Sequence, residues 1–115
     1  MSTIFSKIID GEIPSEFVYE DEHCVVIKDL YPKAPVHLLL IPRKPIVNLD
    51  DLSDEDQALM GHLMLTIPKV AKAAGLEAGY RTIINTNKGG GQEIYHLHIH
   101  ILGCLLYTSP SPRDA

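Results

Sequence analysis

Residues 96 to 101 read His96-Leu97-His98-Ile99-His100-Ile101, an alternation of imidazole and aliphatic side chains. Side chains along a β-strand point alternately to its two faces, so such a strand carries three histidines on one face and three aliphatic residues on the other. The aliphatic face can pack on a helix, whereas the histidine face can form a site on a rigid element. The alternation predicts a strand over residues 95–102 with a row of imidazoles along it.

The sequence before this stretch predicts a short helix and several further strands. Ser2-Thr3 caps a helix over residues 4–9, and Gly11 stops it. Asp21-Glu22 separates two apolar runs, which predicts an antiparallel hairpin. The strands expected from these patterns are residues 17–20, 23–27, a nearly continuous apolar and therefore central strand at 36–41, and 81–86.

The longest helix is predicted to begin at Ser53. Ser53 and Asp56 have the spacing of a capping box, and apolar residues then recur at helical spacing as far as Gly75. Pro68 lies inside this pattern and is expected to kink or divide the helix, because proline lacks the N–H that the helix needs. One long helix with four or five mostly antiparallel strands indicates an α+β domain.

Length and composition limit what the chain can be. Its 115 residues correspond to one domain, expected over residues 1–103, and residues 104–115 form an atypical Ser/Pro-containing tail, disordered or foreign to the domain. A net charge of −5 disfavours generic binding to nucleic acid or an anionic membrane. No signal peptide or membrane-spanning run is found, and two cysteines are too few for a disulfide framework, so a cytoplasmic protein is expected.

The histidine face has three possible explanations. It can be a solvated polar face with no function. It can bind zinc through two of the three rings, in which case His37 or a cysteine has to help. It can also perform nucleophilic chemistry, since a neutral imidazole can attack phosphorus while its neighbours protonate the leaving group and donate hydrogen bonds to the phosphate oxygens. Gly89-Gly90-Gly91 supports the third explanation because glycine N–H groups can form an anion-binding nest, although an ordinary hairpin connection fits equally well.

The triad sequence resembles the signature of the histidine triad (HIT) superfamily, and the flanking sequence resembles its Hint branch, the histidine triad nucleotide-binding proteins. The resemblance covers roughly residues 3 to 103. The segments that carry it, besides 96–101, are Ile4-Phe5-Ser6-Lys7-Ile8-Ile9, Glu12-Ile13-Pro14, Ala34-Pro35-Val36-His37, Gly61-His62-Leu63-Met64, Gly79-Tyr80-Arg81 and Gly90-Gly91-Gln92-Glu93-Ile94-Tyr95. The resemblance ends after Gly103, where the family usually has a second glycine.

This resemblance implies a HIT-like α+β fold with an antiparallel five-stranded sheet, one long helix and a short N-terminal helix, paired in a homodimer. It implies hydrolysis of the P–N bond of purine nucleoside 5′-phosphoramidates through a covalent nucleotidyl-histidine, with no cofactor and no metal. By position, His98 would be the nucleophile and His100 would contact the phosphate and the leaving group. His96 and His37 would orient the nucleophile and hold the proton network.

The resemblance also implies a set of nucleotide-binding residues. Asp29 would accept from the ribose hydroxyls, and Asn85 and the Gly91 backbone would lie near the phosphate and ribose. The remaining members are Gln92 beside this group, and Phe5, Ile8, Ile27 and Leu30 along an apolar slot for the base. Three alternatives stay open: a dinucleoside polyphosphate hydrolase of another triad branch, a nucleotide-binding module with little turnover, and a metal protein.

Overall fold

The computed structural model describes residues 2–105, which form two helices and five strands. The helices are α1 (Ile4–Ile9) and α2 (Gln57–Ala73), and the strands are β1 (Tyr19–Glu20), β2 (Cys24–Lys28), β3 (Val36–Pro42), β4 (Tyr80–Ile83) and β5 (Ile99–Gly103). The strands make one antiparallel sheet in the order β1-β2-β3-β5-β4. The predicted α+β class, with its five-stranded sheet, long helix and short N-terminal helix, is confirmed. The expectation for residues 106–115 concerns a segment outside the described residues.

The two faces of the sheet carry two separate apolar clusters. Helix α1 places Phe5 and Ile8 on one face, where they pack against Val25, Ile27, Leu39 and Ile41. Helix α2 covers the other face with Leu63, Ile67, Val70 and Ala71, against Val26, Leu38, Leu40, Ile99 and Ile101. Strand β3 lies at the centre of the sheet, as its continuous apolar sequence predicts, and its alternating side chains enter both clusters.

Local sequence signals account for the ends of both helices. Thr3 and Ser6 form a capping box at the start of α1, and Gly11 follows its end with φ +82°. Ser53 and Asp56 form the predicted capping box on a short 3-10 turn, Asp54–Asp56, that leads into α2. Gly75, with φ +79°, ends α2.

Pro68 does not divide α2, so that part of the prediction is wrong. The helix runs unbroken from Gln57 to Ala73 with Pro68 inside it. Pro68 and Met64, whose carbonyl would otherwise accept from residue 68, both lie on the exposed side of the helix. The carbonyl that loses its partner there can bind water, which lowers the cost of the proline.

The last strand is shorter than predicted. It begins at Ile99, not at residue 95, and it pairs with β3 from the Leu40–Ile99 position onward. The Leu97 N–H donates to the Ile46 carbonyl, which belongs to a loop, so the chain before Ile99 follows that loop and leaves the sheet. Of the three histidines, His100 alone therefore lies within a regular strand. Strand β4 is also displaced, since it covers Tyr80–Ile83 where residues 81–86 were expected. Among residues 2–105, no helix combines the length and apolarity that crossing a bilayer would require.

Candidate active site

An open cavity of about 800 Å³ lies on the α1 face of the sheet. The residues predicted from the sequence that line it are Phe5, Asp29, His37, Asn85, Gly91, His98 and His100. The size is within the usual range of roughly 300–1,000 Å³ for small-molecule sites. The cavity therefore brings together residues that are up to 95 positions apart in the chain.

The register of β3 and β5 places His37 next to His100. His37 lies opposite Leu102, and Leu39 lies opposite His100, so all four side chains share one face of the sheet. His37 and His100 are diagonal neighbours in this ladder, and their ring centres are 5.1 Å apart. Ile83 of β4 lies opposite His100 on the other side and extends the same face.

Hydrogen bonds assign the tautomers of His37 and His100. The Lys33 backbone N–H donates to His37 Nδ1 at 3.0 Å, so the proton of neutral His37 is on Nε2. His37 Nε2 lies 2.9 Å from His100 Nδ1 and 3.3 Å from Asp29 Oδ2. His100 Nδ1 therefore accepts from His37, and the proton of neutral His100 is on Nε2.

His98 has the opposite arrangement. Its Nδ1–H donates to the His96 backbone carbonyl at 2.7 Å, which leaves the lone pair of the neutral ring on Nε2. The His98 ring lies with its centre 5.0 Å from that of His100 and 5.0 Å from that of Phe5, both in edge-to-face geometry. His98 therefore offers a basic nitrogen to the same cavity that His100 also lines.

His96 is buried outside the cavity. It is 2% exposed, and its Nε2–H donates to the Pro42 carbonyl at 2.8 Å. This bond ties the segment before β5 to the end of β3. Because the His96 carbonyl accepts from His98, the position of the backbone at His96 determines where the His98 ring lies.

Burial lowers the pKa of all four histidines. For His98 and His96 burial outweighs the hydrogen bonds to backbone carbonyls, which act in the opposite direction. For His37 burial lowers the pKa, and the Asp29 carboxylate opposes that effect. Burial, together with the rings of His98 and His37, lowers the pKa of His100 to about 4. The four imidazoles are therefore neutral at pH 7 in the free protein.

Several residues of the predicted nucleotide-binding set do not line the cavity. Ile8 and Ile27 are buried in the cluster under α1, and Leu30 is 77% exposed. Gln92 is buried, and its Nε2 donates to the carbonyls of Val47 and Ile94. Its Oε1 accepts from the side-chain amide of Asn48 and the N–H of Asn87, so Gln92 stabilises the glycine-rich turn from behind.

Two backbone N–H groups of the glycine-rich turn donate to carbonyls within the same turn. The N–H groups of Gly90 and Gly91 donate to the carbonyls of Asn87 and Lys88, respectively, within a 3-10 turn. Gly91 has φ +86°, and a β-carbon placed on it would lie 3.9 Å from the side chain of Asn85. The turn therefore holds Gly91 beside Asn85 at the edge of the cavity, and these two N–H groups already have partners.

Sequence reasoning missed the other residues that line the cavity. They are Tyr31, Lys33, Leu39, Arg81, Ile83, Glu93, Ile94, Leu102 and Leu105. Leu39 lies two residues after His37 and Leu102 lies two residues after His100, so the alternation of side chains along a strand predicts that they share the histidine face. The others depend on strand register and loop conformation.

Among residues 2–105, Asp29, His37 and His100 are one of two groups whose side chains could hold a metal ion. Their ligand atoms lie within 4.8 Å of one another, and they already form the hydrogen bonds described above. The zinc hypothesis drawn from the sequence required two triad histidines. The structure brings one triad histidine, His100, to this group.

Comparison with known proteins identifies close relatives. The model of the HIT domain family matches residues 10–104. An uncharacterised HIT-like protein from Synechococcus elongatus is 56% identical over 101 residues, covering 88% of this chain and 89% of that protein. Protein HitA from Neisseria gonorrhoeae is 54% identical over 100 residues, covering 87% and 94%.

A solved structure shows the same fold. The crystal structure of a HIT family hydrolase from Legionella pneumophila Philadelphia 1 is 45% identical to this chain, with a TM-score of 0.86. The match covers 90% of this chain and 93% of that one. This chain and the Legionella pneumophila protein are therefore similar in both sequence and fold along nearly their whole lengths.

Proposed function

This chain belongs to the HIT domain family, and from that starting point we propose that it is a hydrolase of purine nucleoside 5′-phosphoramidates. The reaction breaks the P–N bond between a nucleoside monophosphate and an amine. The observation that carries the proposal is the opposite protonation of two adjacent rings, His98 with a free Nε2 lone pair and His100 with an Nε2–H. One ring can attack while the other donates.

His98 is the nucleophile in this proposal. Its Nδ1–H bond to the His96 carbonyl keeps the lone pair on Nε2 and stabilises the positive charge that the ring acquires when Nε2 bonds to phosphorus. The Nε2–P bond forms as the P–N bond of the substrate breaks. A covalent nucleotidyl-His98 results, and the amine leaves with the electron pair of the broken bond.

The His37–His100 pair supplies the proton for the leaving amine and recovers one from water in the second step. The pair is neutral in the free protein, and a phosphate anion in the cavity favours its uptake of one proton from solvent. The carboxylate of Asp29 favours the same charge on both rings. His100 then gives a proton to the leaving amine. In the second step water attacks phosphorus, His98 leaves, and His100 recovers the proton from the water.

The rest of the cavity binds the nucleotide. We assign Asp29 to the ribose hydroxyls, Asn85 to the phosphate and ribose, and Phe5 to the base. Gly91 lies beside Asn85 and contributes through the close approach that its lack of a side chain allows, since its N–H already donates to the Lys88 carbonyl. Phe5 is 4% exposed and lies with its ring edge-to-face against His98, so it offers an apolar surface next to the reacting centre. His96 acts as a positioning residue through its carbonyl.

The test is acid-quench trapping with a labelled adenosine phosphoramidate, followed by peptide mapping. We expect label on the peptide that contains His98, and none in a His98→Ala variant. His23→Ala is the matched control, because His23 is an exposed histidine that does not line the cavity. Label on another residue, or turnover without a trapped adduct in rapid-quench samples, would contradict the assignment. Diadenosine polyphosphate cleaved faster than the phosphoramidate would indicate the other hydrolase activity.

Two further proposals concern the assembly and its location. Strand β4 pairs with β5 on one side and is an edge of the sheet, and its residues Tyr80, Arg81 and Thr82 are exposed. We propose that the sheet continues through β4 into a second copy in a homodimer, which light scattering tests directly.

We also propose a cytoplasmic location, which fits the unpaired state of Cys24 and Cys104 and is tested by cell fractionation.

A further inference from the structure

A second group of potential metal ligands lies on the α2 side of the sheet, away from the cavity. Asp21 lies in the turn between β1 and β2, Cys24 is the first residue of β2, and His62 lies in the N-terminal half of α2. Their carboxylate, thiol and imidazole ligand atoms lie within 4.8 Å of one another. None of the three lines the cavity that contains His98.

The turn holds the Asp21 carboxylate in a fixed position. Its Oδ1 accepts from the backbone N–H groups of His23 and Cys24 at 2.8 and 2.9 Å, and its Oδ2 accepts from Tyr19 Oη at 2.8 Å. Asp21 is therefore a preoriented oxygen ligand.

The other two donors approach this carboxylate from different elements. His62 Nε2 lies 2.7 Å from Asp21 Oδ2, and Cys24 Sγ lies 3.5 Å from Asp21 Oδ1. Cys24 is fully buried, whereas the side chain of His62 is 34% exposed. The Asp21 side chain is 22% exposed, so solvent reaches two of the three ligands, His62 and Asp21.

We propose that Asp21, Cys24 and His62 form a zinc site, with a water molecule as the fourth ligand. Sulfur, imidazole nitrogen and carboxylate oxygen are the donor types that zinc selects. Bonds of roughly 2.0–2.3 Å in tetrahedral geometry separate ligand atoms by about 3.3–3.8 Å. Cys24 Sγ lies 3.5 Å from Asp21 Oδ1, which is within this range, and His62 Nε2 lies 2.7 Å from the other carboxylate oxygen, Oδ2. With one ligand atom from each residue, the three atoms lie within 4.8 Å of one another, so small side-chain adjustments bring them to these separations.

The charges and protons of the proposed site balance. Zinc replaces the proton of the Cys24 thiol, which is released to solvent. His62 gives up the Nε2 proton that it donates to Asp21 in the metal-free protein, carries its ring proton on Nδ1 after exchange with solvent, and binds the metal through the Nε2 lone pair. The carboxylate and thiolate together neutralise the ion. The short His62–Asp21 hydrogen bond is replaced by two bonds to the metal, so the ion links the β1–β2 turn to α2. The site is structural, and it is independent of the proposed hydrolysis.

Cobalt substitution tests the site in the purified full chain. A bound Co²⁺ in contact with a thiolate gives a sulfur-to-cobalt charge-transfer band, which the Asp29–His37–His100 group cannot produce because it contains no sulfur. We expect one equivalent of Co²⁺ to give the band in the wild type and in Cys104→Ser, and no band in Cys24→Ser. Absence of the band in the wild type, or its persistence in Cys24→Ser, would overturn the proposal.

Zinc binding and thermal unfolding give the second measurement. Competition with a chromophoric chelator should show that His62→Gln and Asp21→Asn bind Zn²⁺ at least about 100-fold more weakly, since even outer-shell partners change affinity by roughly 10–100-fold. Zn²⁺ should raise the Tm of the wild type and not that of His62→Gln. Unchanged phosphoramidate turnover in His62→Gln shows that this variant is folded. If His62→Gln bound Zn²⁺ as tightly as the wild type, the proposed site would be refuted.

Discussion

We expect acidification to destabilise this fold through its buried and partly buried histidines, with a contribution from His100 that follows from its pKa. Burial and the rings of His98 and His37 lower its pKa from 6.5 to about 4. The unfolded chain, in which His100 titrates near 6.5, therefore binds more protons than the native chain between these two pH values. The stability associated with neutral His100 is fully present above about pH 6.5, and it is lost as the pH falls toward about 4.

The size of this loss follows from the two pKa values. At about pH 5 the unfolded His100 is almost fully protonated and the folded one is mostly neutral. Each pKa unit corresponds to about 1.4 kcal/mol, so His100 alone lowers the free energy of unfolding by about 2 kcal/mol between about pH 7.5 and about pH 5. His37, His96 and His98 act in the same direction, because their pKa values are also lowered.

Urea unfolding of the wild type and of His100→Gln isolates the contribution of His100. The chain contains no tryptophan, so far-ultraviolet circular dichroism is the suitable probe. Glutamine keeps a side-chain acceptor near His37 and cannot take up a proton. We expect the wild type to lose about 2 kcal/mol more than the variant between the two pH values. An equal loss in both proteins would show that His100 titrates normally, and the inferred environment of the ring would be wrong.

The remaining predictions concern turnover and packing. His98→Ala should lower kcat/KM for an adenosine phosphoramidate by at least about 10³-fold, as expected for the loss of a nucleophile. A turnover close to that of the wild type in a fixed-time assay of product would exclude His98 from this role. Gly103→Ala places a β-carbon 2.1 Å from Leu76 Cδ2, so we expect a loss of about 1–3 kcal/mol in urea unfolding, and a smaller loss when Leu76 is replaced by alanine in the same chain. Ile101→Ala, at a side chain with no exposure, should cost about 2–5 kcal/mol in the same measurement, and a cost below about 1 kcal/mol would contradict its place in the core.

Part of the candidate site could be predicted from the chain alone because it depends on short-range geometry. The pleat places His98 and His100 on one side and Ile99 and Ile101 on the other, and the structure has this arrangement even though β5 begins only at Ile99. The start of the strand could not be predicted, since it depends on whether Leu97 bonds to a strand or to the loop at Ile46. The family resemblance added His37, whose apolar strand fits a buried structural histidine equally well.

Other features of the site depend on contacts between distant segments. The resemblance implied that Ile8 and Ile27 line the base slot. In the structure both are buried in the cluster under α1, which reaches the cavity through Phe5 and Leu39. The tautomer of His37 depends on the Lys33 backbone, and the tautomer of His98 depends on the His96 carbonyl. Neither bond has a sequence signature, because backbone groups donate and accept regardless of residue type.

The amino-acid sequence by itself determined the class of fold, the capped helix ends at Thr3 and Ser53, the hairpin at Asp21 and the alternation of the triad, because each of these arises from interactions within a few residues. The tertiary structure decided the protonation pattern of the four histidines, the continuity of α2 through Pro68 and the meeting of Asp21, Cys24 and His62. These features arise from strand register and burial, which bring together groups as far apart as the 63 positions between His37 and His100.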